Sequence, residues 1–167
     1  MAETKYGQYF VTWDPASPRK HPLGPFVSIM DDTVVKGSHF YMVHWVMPGT
    51  KPTSSAVGHP PHIHKDAELL FHIGTDPNNP LDLGAEVELF MGPELERHII
   101  TKSCVVFIPP NFIHSPWKPL KTERPWIFIE VNQGLRHTEK LYPQVLPKEL
   151  RDQVDWSYWK AKEEGFD

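Results

Sequence analysis

Short runs of alternating hydrophobic and polar residues dominate the chain, and they predict strands rather than long helices. In one run, apolar Val87 and Leu89 alternate with Glu86 and Glu88, which predicts a strand with one solvent-facing side. Clusters of Pro, Gly and Asn separate the runs. The predicted strands are residues 7–13, 24–30, 39–47, 62–74, 85–92, 97–102, 104–109 and 126–132. This pattern is typical of an all-β sandwich or barrel.

One helical pattern lies near the C-terminus, at residues 147–165. Apolar residues recur there every four positions, at Leu146, Leu150, Val154 and Tyr158. Pro147 suits the first turn of a helix and Gly165 suits its end. We therefore expect an all-β, antiparallel fold with one C-terminal helix that packs on the barrel as a cap.

The length of 167 residues and the hydrophobic content of 40% predict one domain with its own core. Only one half of the chain carries a dense histidine cluster, so we expect a single barrel rather than a tandem pair. The predicted single domain, 1–167, has a barrel core at about 36–135, an N-terminal β extension at 1–35 and a C-terminal helical extension at 138–167. Its first strand offers a sheet edge for pairing with a second copy, which predicts a homodimer.

The charge composition limits the classes of binding partner that we expect. Seventeen basic and 21 acidic residues give a net charge of −4, and no basic patch is present, so we expect no nucleic acid and no anionic membrane surface as partner. No apolar run reaches the ~18 residues of a membrane span, and the N-terminus lacks the apolar region of a signal peptide. The one cysteine, Cys104, is expected as a buried thiol. These features predict a cytoplasmic protein.

Candidate chemistry is concentrated in GHPPHIHKDAELLFHIG, residues 58–74, which holds four of the ten histidines. In an extended segment His62, His64 and Glu68 share one face, because successive side chains of a strand alternate. Two imidazoles and a carboxylate suit a transition metal. The preceding Pro60-Pro61 pair stiffens the loop that presents His62.

A fourth ligand, His114, follows fifty residues after His64. It stands behind a predicted tight turn, Pro109-Pro110-Asn111, where Asn111 can adopt a left-handed backbone conformation at low cost. Such a turn would place His114 near the beginning of the next strand.

These two segments resemble the paired motifs of the cupin family. His62-x-His64-x3-Glu68 with Gly74 resembles the first motif, and residues 109–114, PPNFIH, resemble the second. The resemblance covers roughly residues 40–132. Three positions depart from the family pattern, namely Asn111 for the usual glycine, Gly58 nearer to the first ligand than usual, and Lys118 for a frequent asparagine.

The resemblance implies an antiparallel double-stranded β-helix, the jelly-roll or cupin barrel, with a metal ion inside its mouth. It also implies His62, His64, Glu68 and His114 as the ligands of one divalent transition metal, either Fe, Mn, Ni or Zn. Coincidence in a histidine-rich β protein, or a complete but empty site, are the alternatives.

Three neutral imidazoles and one carboxylate leave a divalent ion at a net charge of about +1, which favours a small anionic or enolic substrate. The resemblance to cupin oxygenases favours a dioxygenase. The alternatives are a redox-neutral isomerase, lyase, decarboxylase or hydrolase at the same site, and a non-catalytic ligand-binding cupin.

Two more residues are candidates for proton transfer. His72 has the strand parity of Glu68, so it is either a proton shuttle beside the metal or a hydrogen-bonded core histidine. Glu130 shares a strand face with Trp126, Phe128 and Asn132, and it is a candidate general base if that face lines the barrel. If the opposite face is the inner one, Glu130 is exposed or in a salt bridge. We expect His59 to be a loop residue and His44 to have a structural role.

Overall fold

The structure, a computed structural model, describes residues 4–17, 19–50 and 57–166. Within them, ten strands and a few short helical turns alternate with loops. The strands are β1 (Phe26–Met30), β2 (Phe40–Val46), β3 (His62–Ile63), β4 (Glu68–Ile73), β5 (Asp82–Met91), β6 (Glu96–Lys102), β7 (Cys104–Ile108), β8 (His114–Thr122), β9 (Trp126–Asn132) and β10 (Lys140–Leu141). The helices are α1 (Lys148–Arg151) and α2 (Trp156–Lys160), with 3-10 turns at Gly7–Tyr9 and Pro143–Val145.

The described strands form two five-stranded sheets, ordered β1-β2-β9-β4-β7 and β10-β3-β8-β5-β6. Every strand pair is antiparallel. From β3 onward the chain crosses repeatedly between the two sheets, since β4, β7 and β9 lie in the first and β5, β8 and β10 in the second. The predicted all-β antiparallel architecture is confirmed.

The main core lies between the sheets. Leu70, Trp126 and Phe128 enter it from the first sheet, and Val87 and Leu89 from the second. Full burial of such a side chain stabilises the fold by roughly 1.5–3 kcal/mol. The alternation predicted along β5 is present, because Glu86 is exposed between buried neighbours. Cys104, predicted to be buried, begins β7 and is only partly buried against this core.

The strand predicted over residues 7–13 is wrong. The chain forms a 3-10 turn at Gly7–Tyr9 and then contacts β1 through isolated bonds, such as Trp13 N–H to Val27 O at 3.1 Å. Phe10 is 80% exposed, so this segment has no buried face to hold it in a sheet. The edge strand behind the homodimer prediction is therefore absent from the described N-terminal residues, and the homodimer stays a prediction.

The C-terminal helix predicted as one element is two short helices, α1 and α2. Asp155 ends the break between them, because its carboxylate accepts the backbone N–H of Tyr158 at 3.1 Å and caps α2. An N-cap residue has a non-helical backbone, so a continuous helix cannot pass through it. Leu141, Leu146, Val154 and Trp159 bury a second small core beneath this extension. Within the described residues, no helix is long and apolar enough to cross a membrane.

Candidate metal centre

The histidine-rich segment is not the single strand, 62–74, that alternation predicts. His62–Ile63 forms β3 in one sheet, and Glu68–Ile73 forms β4 in the other. Residues 64–67 carry the chain across the gap between the sheets. This crossing, rather than one strand face, brings His62, His64 and Glu68 to a common point inside the barrel.

His114 is the first residue of β8 and lies directly opposite His62 of β3 in the antiparallel register. The turn before it has the predicted geometry, because Asn111 has a positive φ of 57°. The Asn111 N–H donates to the His64 carbonyl at 2.8 Å. The second motif is thus joined to the first by a backbone hydrogen bond as well as by strand pairing.

Donor atoms of four side chains meet at this point. Nε2 of His62 lies 3.1 Å from Nε2 of His64, which lies 3.2 Å from Oε1 of Glu68. Nε2 of His114 lies 3.0 Å from Oε2 of Glu68. Ligands about 2.1 Å from an ion and about 90° apart are separated by about 3.0 Å, so these distances match the edges of a coordination polyhedron. All four side chains are buried.

Backbone carbonyl groups orient the three imidazoles. Each presents its Nδ1 to a carbonyl oxygen, which only accepts, so Nδ1 carries a proton and Nε2 is the atom that the neutral ring offers to an ion. The carbonyls that serve His62, His64 and His114 belong in turn to Pro60 (2.7 Å), Thr138 and Phe112 (3.2 Å). Oε2 of Glu68 is buried and makes no hydrogen bond. The three histidines have donor atoms within 4.8 Å of one another and could hold one metal ion, and the Glu68 carboxylate lies beside two of them.

The electrostatics of the site also favour positive charge. Burial opposes protonation of His64, but the Glu68 carboxylate outweighs it and raises the pKa of His64 to about 9. Burial likewise opposes ionisation of Glu68, yet His64 holds the pKa of that carboxyl well below its usual range. Burial and then the His114 ring lower the pKa of His62 well below its usual value. The carboxylate therefore remains an anionic ligand that attracts a cation.

Asn132 supports the carboxylate. It lies opposite Glu68 in the pairing of β9 with β4, and its Nδ2 donates to Oε1 of Glu68 at 2.9 Å. Both side chains are fully buried. The sequence reasoning placed Asn132 on the right strand face but gave it no role, although its parity with Glu130 was a usable indication.

An inner cavity of about 70 Å³ adjoins the four donors. Its apolar wall consists of Met42, Leu70, Trp117 and Phe128, and its further polar side chains are His21, His44, His59, Ser115 and Glu130. A larger cavity of about 720 Å³ shares His21, Met42, His59 and Glu130 with it and is walled by both terminal extensions. The site thus lies at the inner end of a cavity with the volume of a small-molecule site.

Glu130 lies on the inward-facing side of β9 together with buried Trp126 and Phe128. Its Oε1 is 3.6 Å from Nε2 of His137. Burial, and then the negative charge of Glu68, raise the pKa of Glu130. Of the two predicted orientations of this strand, the structure has the one in which Glu130 faces the cavity.

His72 lies elsewhere in the barrel. It is fully buried, its Nε2 accepts from Trp117 Nε1 at 3.1 Å, and its ring stacks on Trp126 at 5.5 Å. Burial lowers its pKa to about 4. These contacts are with Trp117 and Trp126 and not with the four candidate ligands, so the placement matches a hydrogen-bonded core histidine rather than a shuttle beside the metal.

The C-terminal extension adds polar residues that the sequence reasoning missed. Nε2 of His59, assigned to the loop, lies 3.1 Å from Oε2 of Glu139, and Nδ1 of His137 lies 2.7 Å from Oε1 of Glu164. Eighty residues separate the first pair along the chain, and no motif links them. Only the folded path of the extension brings them to the cavity.

His59, His62 and Glu139 also have donor atoms within 4.8 Å of one another. The rings of His59 and His62 are stacked at 4.3 Å and nearly parallel, at 20°. Their lone pairs therefore run side by side instead of converging, and Nε2 of His62 already faces His64. The three histidines with Glu68 are the better donor set.

No protein-family model and no curated protein sequence matches this chain. Solved structures do match. An oxalate decarboxylase from Lactobacillus farciminis has a TM-score of 0.50 and 14% identity, over 83% of this chain and 41% of that protein. An oxalate oxidase gives 0.47 and 12%, over 79% and 60%, and a double-stranded β-helix protein from Klebsiella pneumoniae gives 0.44 and 13%, over 84% and 96%.

This chain thus spans less than two thirds of the length of either oxalate enzyme. At such identities the similarity concerns the fold alone. Two antiparallel sheets that exchange strands around a common core agree with it. The protein has the cupin fold.

Proposed function

We propose that this protein is a metal-dependent enzyme that binds a small oxygenated anion at one divalent transition metal ion. His62, His64, Glu68 and His114 would hold the ion. The observation that carries the proposal is the convergence of four buried donors at 3.0–3.2 Å, with every imidazole Nδ1 engaged by a carbonyl. Such a set suits Fe, Mn, Ni or Zn.

When bound, the ion would supply a Lewis-acid or redox centre for a chelated substrate. Its charge with Glu68 amounts to +2 − 1 = +1, which favours a carboxylate, an enolate or a phenolate. The apolar wall of Met42, Leu70, Trp117 and Phe128 keeps bulk water from the bound anion and so strengthens electrostatic contacts there.

Glu130 is the proposed proton-transfer group. Its carboxyl group lines the inner cavity, is largely buried, and has a raised pKa, which brings it nearer to the range of a general acid or base at neutral pH. His137, at 3.6 Å, is placed to stabilise the ionised form. The Glu130→Gln variant should retain the metal and lose most turnover.

Dioxygenation is the proposed reaction, on the resemblance of the ligand set to cupin oxygenases. A redox-neutral isomerisation or decarboxylation is the second candidate, and the position of Glu130 favours it because a carboxyl group beside the substrate moves protons without oxygen. Oxygen uptake measured alongside product formation, on oxalate, diketones, catechols and acireductone-like enols, separates the two. Turnover that proceeds anaerobically at an undiminished rate rules out the dioxygenase.

Elemental analysis tests the ligands themselves. Protein purified without added metal should contain about one ion per chain, and His62→Ala and His114→Ala should each lose it while the barrel remains folded. His98→Ala is the matched control, since His98 lies on β6, is half exposed and has its Nε2 3.2 Å from Oε1 of Glu96. Full occupancy in either ligand variant contradicts the assignment. If the metal-free protein still binds a small organic anion, a non-catalytic binding protein is favoured instead.

We infer a cytoplasmic location from the cysteine content. A single, partly buried thiol at Cys104 with no partner for a disulfide suits a reducing cytoplasm. A homodimer remains part of the proposal, and light scattering of the purified protein tests it.

A further inference from the structure

A stack of three rings leads from the C-terminal extension to a metal ligand. The indole of Trp159 on α2 lies 4.7 Å from the ring of His59, at 24°, and His59 lies 4.3 Å from the ring of His62, at 20°. Trp159 is 7% exposed and belongs to the small core beneath the extension. The outer end of the stack is therefore anchored, and its inner end is the ligand.

The backbone of the C-terminal extension contacts two of the proposed ligands, His62 and His64. The Thr138 carbonyl accepts from Nδ1 of His64, and Leu141 pairs with His62 in the β10–β3 register. The Tyr142 N–H donates to the carbonyl of Pro61, next to His62, at 2.8 Å. Glu68 and His114 are positioned by the barrel strands β4 and β8, and His62 contacts both the extension and β8, since it also pairs with His114.

The extension is itself closed into a unit. Glu139 and Glu164 exchange two backbone hydrogen bonds of 2.9 and 3.0 Å, which tie its two ends together. The carboxylate of Glu139, 3% exposed, accepts from His59 at 3.1 Å and so fixes the middle ring of the stack.

We propose that residues 138–166 are a positioning element for the metal centre, and that the Trp159–His59–His62 stack holds the plane of the His62 imidazole while the Pro60 carbonyl holds its Nδ1. The inference rests on the proposed metal site. A ring that is already oriented loses less freedom on binding the ion, and loss of an outer partner of a ligand weakens metal binding about 10- to 100-fold in general. Trp159 and His59 are thus positioning residues and not ligands.

The test compares dissociation constants for Zn²⁺ and Mn²⁺, measured by competition with a chelating dye. Trp159→Ala should raise the constant about 10-fold or more, and Trp159→Phe, which keeps a stacking ring, should recover part of the loss. Trp156→Ala is the matched control. Trp156 lies on the same helix and packs on the same small core, but its indole N–H donates to Arg151 O and it is not in the stack.

His59→Ala keeps the test decisive if Trp159→Ala unfolds the extension, because the side chain of His59 is one third exposed and its loss leaves little void. We expect it to weaken metal binding by a similar factor. The double variant should be no weaker than His59→Ala alone, since both substitutions break one path. Additive losses would overturn the stack as that path.

The absorption spectrum of the Co²⁺-loaded protein gives a readout of ligand geometry. It should change in Trp159→Ala and His59→Ala and remain wild type in Trp156→Ala. Unchanged affinity and spectrum in both stack variants, or an equal loss in Trp156→Ala, overturns this inference alone. A wild-type protein that binds none of the three ions overturns the proposed function.

Discussion

Replacing Asn132 by leucine should weaken metal binding without unfolding the protein. The Nδ2–Oε1 hydrogen bond to Glu68 is 2.9 Å long and fully buried, and a hydrogen bond to a charged group contributes about 1.5–3 kcal/mol. An outer partner of a metal ligand typically contributes 10- to 100-fold in affinity, or about 1.4–2.8 kcal/mol. The two ranges agree, so we expect the dissociation constant to rise at least about tenfold.

Leucine has the same number of side-chain heavy atoms and the same branch point as asparagine, and it removes a buried Oδ1 that has no hydrogen-bond partner. The free energy of unfolding of the metal-free protein should therefore fall less than the free energy of metal binding. Dye competition measures the affinity for the metal. Urea unfolding of chelator-treated protein measures the free energy of unfolding. Asn78→Leu, in an exposed loop, controls for the chemical change. Affinity within twofold of wild type would refute the role of Asn132, and a large loss of stability alone would make it a packing residue.

Three further outcomes are expected. Metal-free protein should lose stability as the pH rises from 6.5 through about 9, because the raised pKa of His64 stabilises the fold only while that ring is protonated. The loss is on the order of 3 kcal/mol at most. A thermal midpoint of chelator-treated protein that stays constant over this pH range contradicts the prediction. His72→Ala should retain the full metal content but lower the free energy of unfolding by about 2–4 kcal/mol, since it leaves a void and an unpaired Trp117 N–H; metal analysis and urea unfolding check both, and metal loss would move His72 to the ligand set. At the positive φ of Asn111, glycine should be tolerated whereas valine should destabilise by about 1–2 kcal/mol or more, and equal denaturation midpoints would contradict the strained turn.

The four proposed ligands can be identified from the sequence because the pattern that marks them is local. His62, His64 and Glu68 lie within seven residues. His114 follows a turn that contains Asn111, a residue type that favours the left-handed conformation found there. The reason given for their convergence was wrong, however. Strand alternation does not encode where a chain leaves one sheet for the other, and residues 64–67 make that crossing.

The remaining errors have physical causes of the same kind. Residues 7–13 have the composition of a strand, but a strand needs a partner with a buried face, and Phe10 is exposed. The periodicity across 147–165 is helical, but the side-chain cap at Asp155 restarts the helix there. The contacts of His59 with Glu139 and Trp159 depend on the folded path of the whole extension.

The crossing between β3 and β4 places His62 and His114 in one sheet and Glu68 in the other. A bound ion would consequently act as a reversible cross-link between the two halves of the barrel. Free metal at 100 times its dissociation constant would add about 2.7 kcal/mol to the stability of the folded state. The lifetime of this protein in a cell would then follow the local supply of the ion, and chelation should quicken amide exchange in β3 and β8 before it does so in the distant β6.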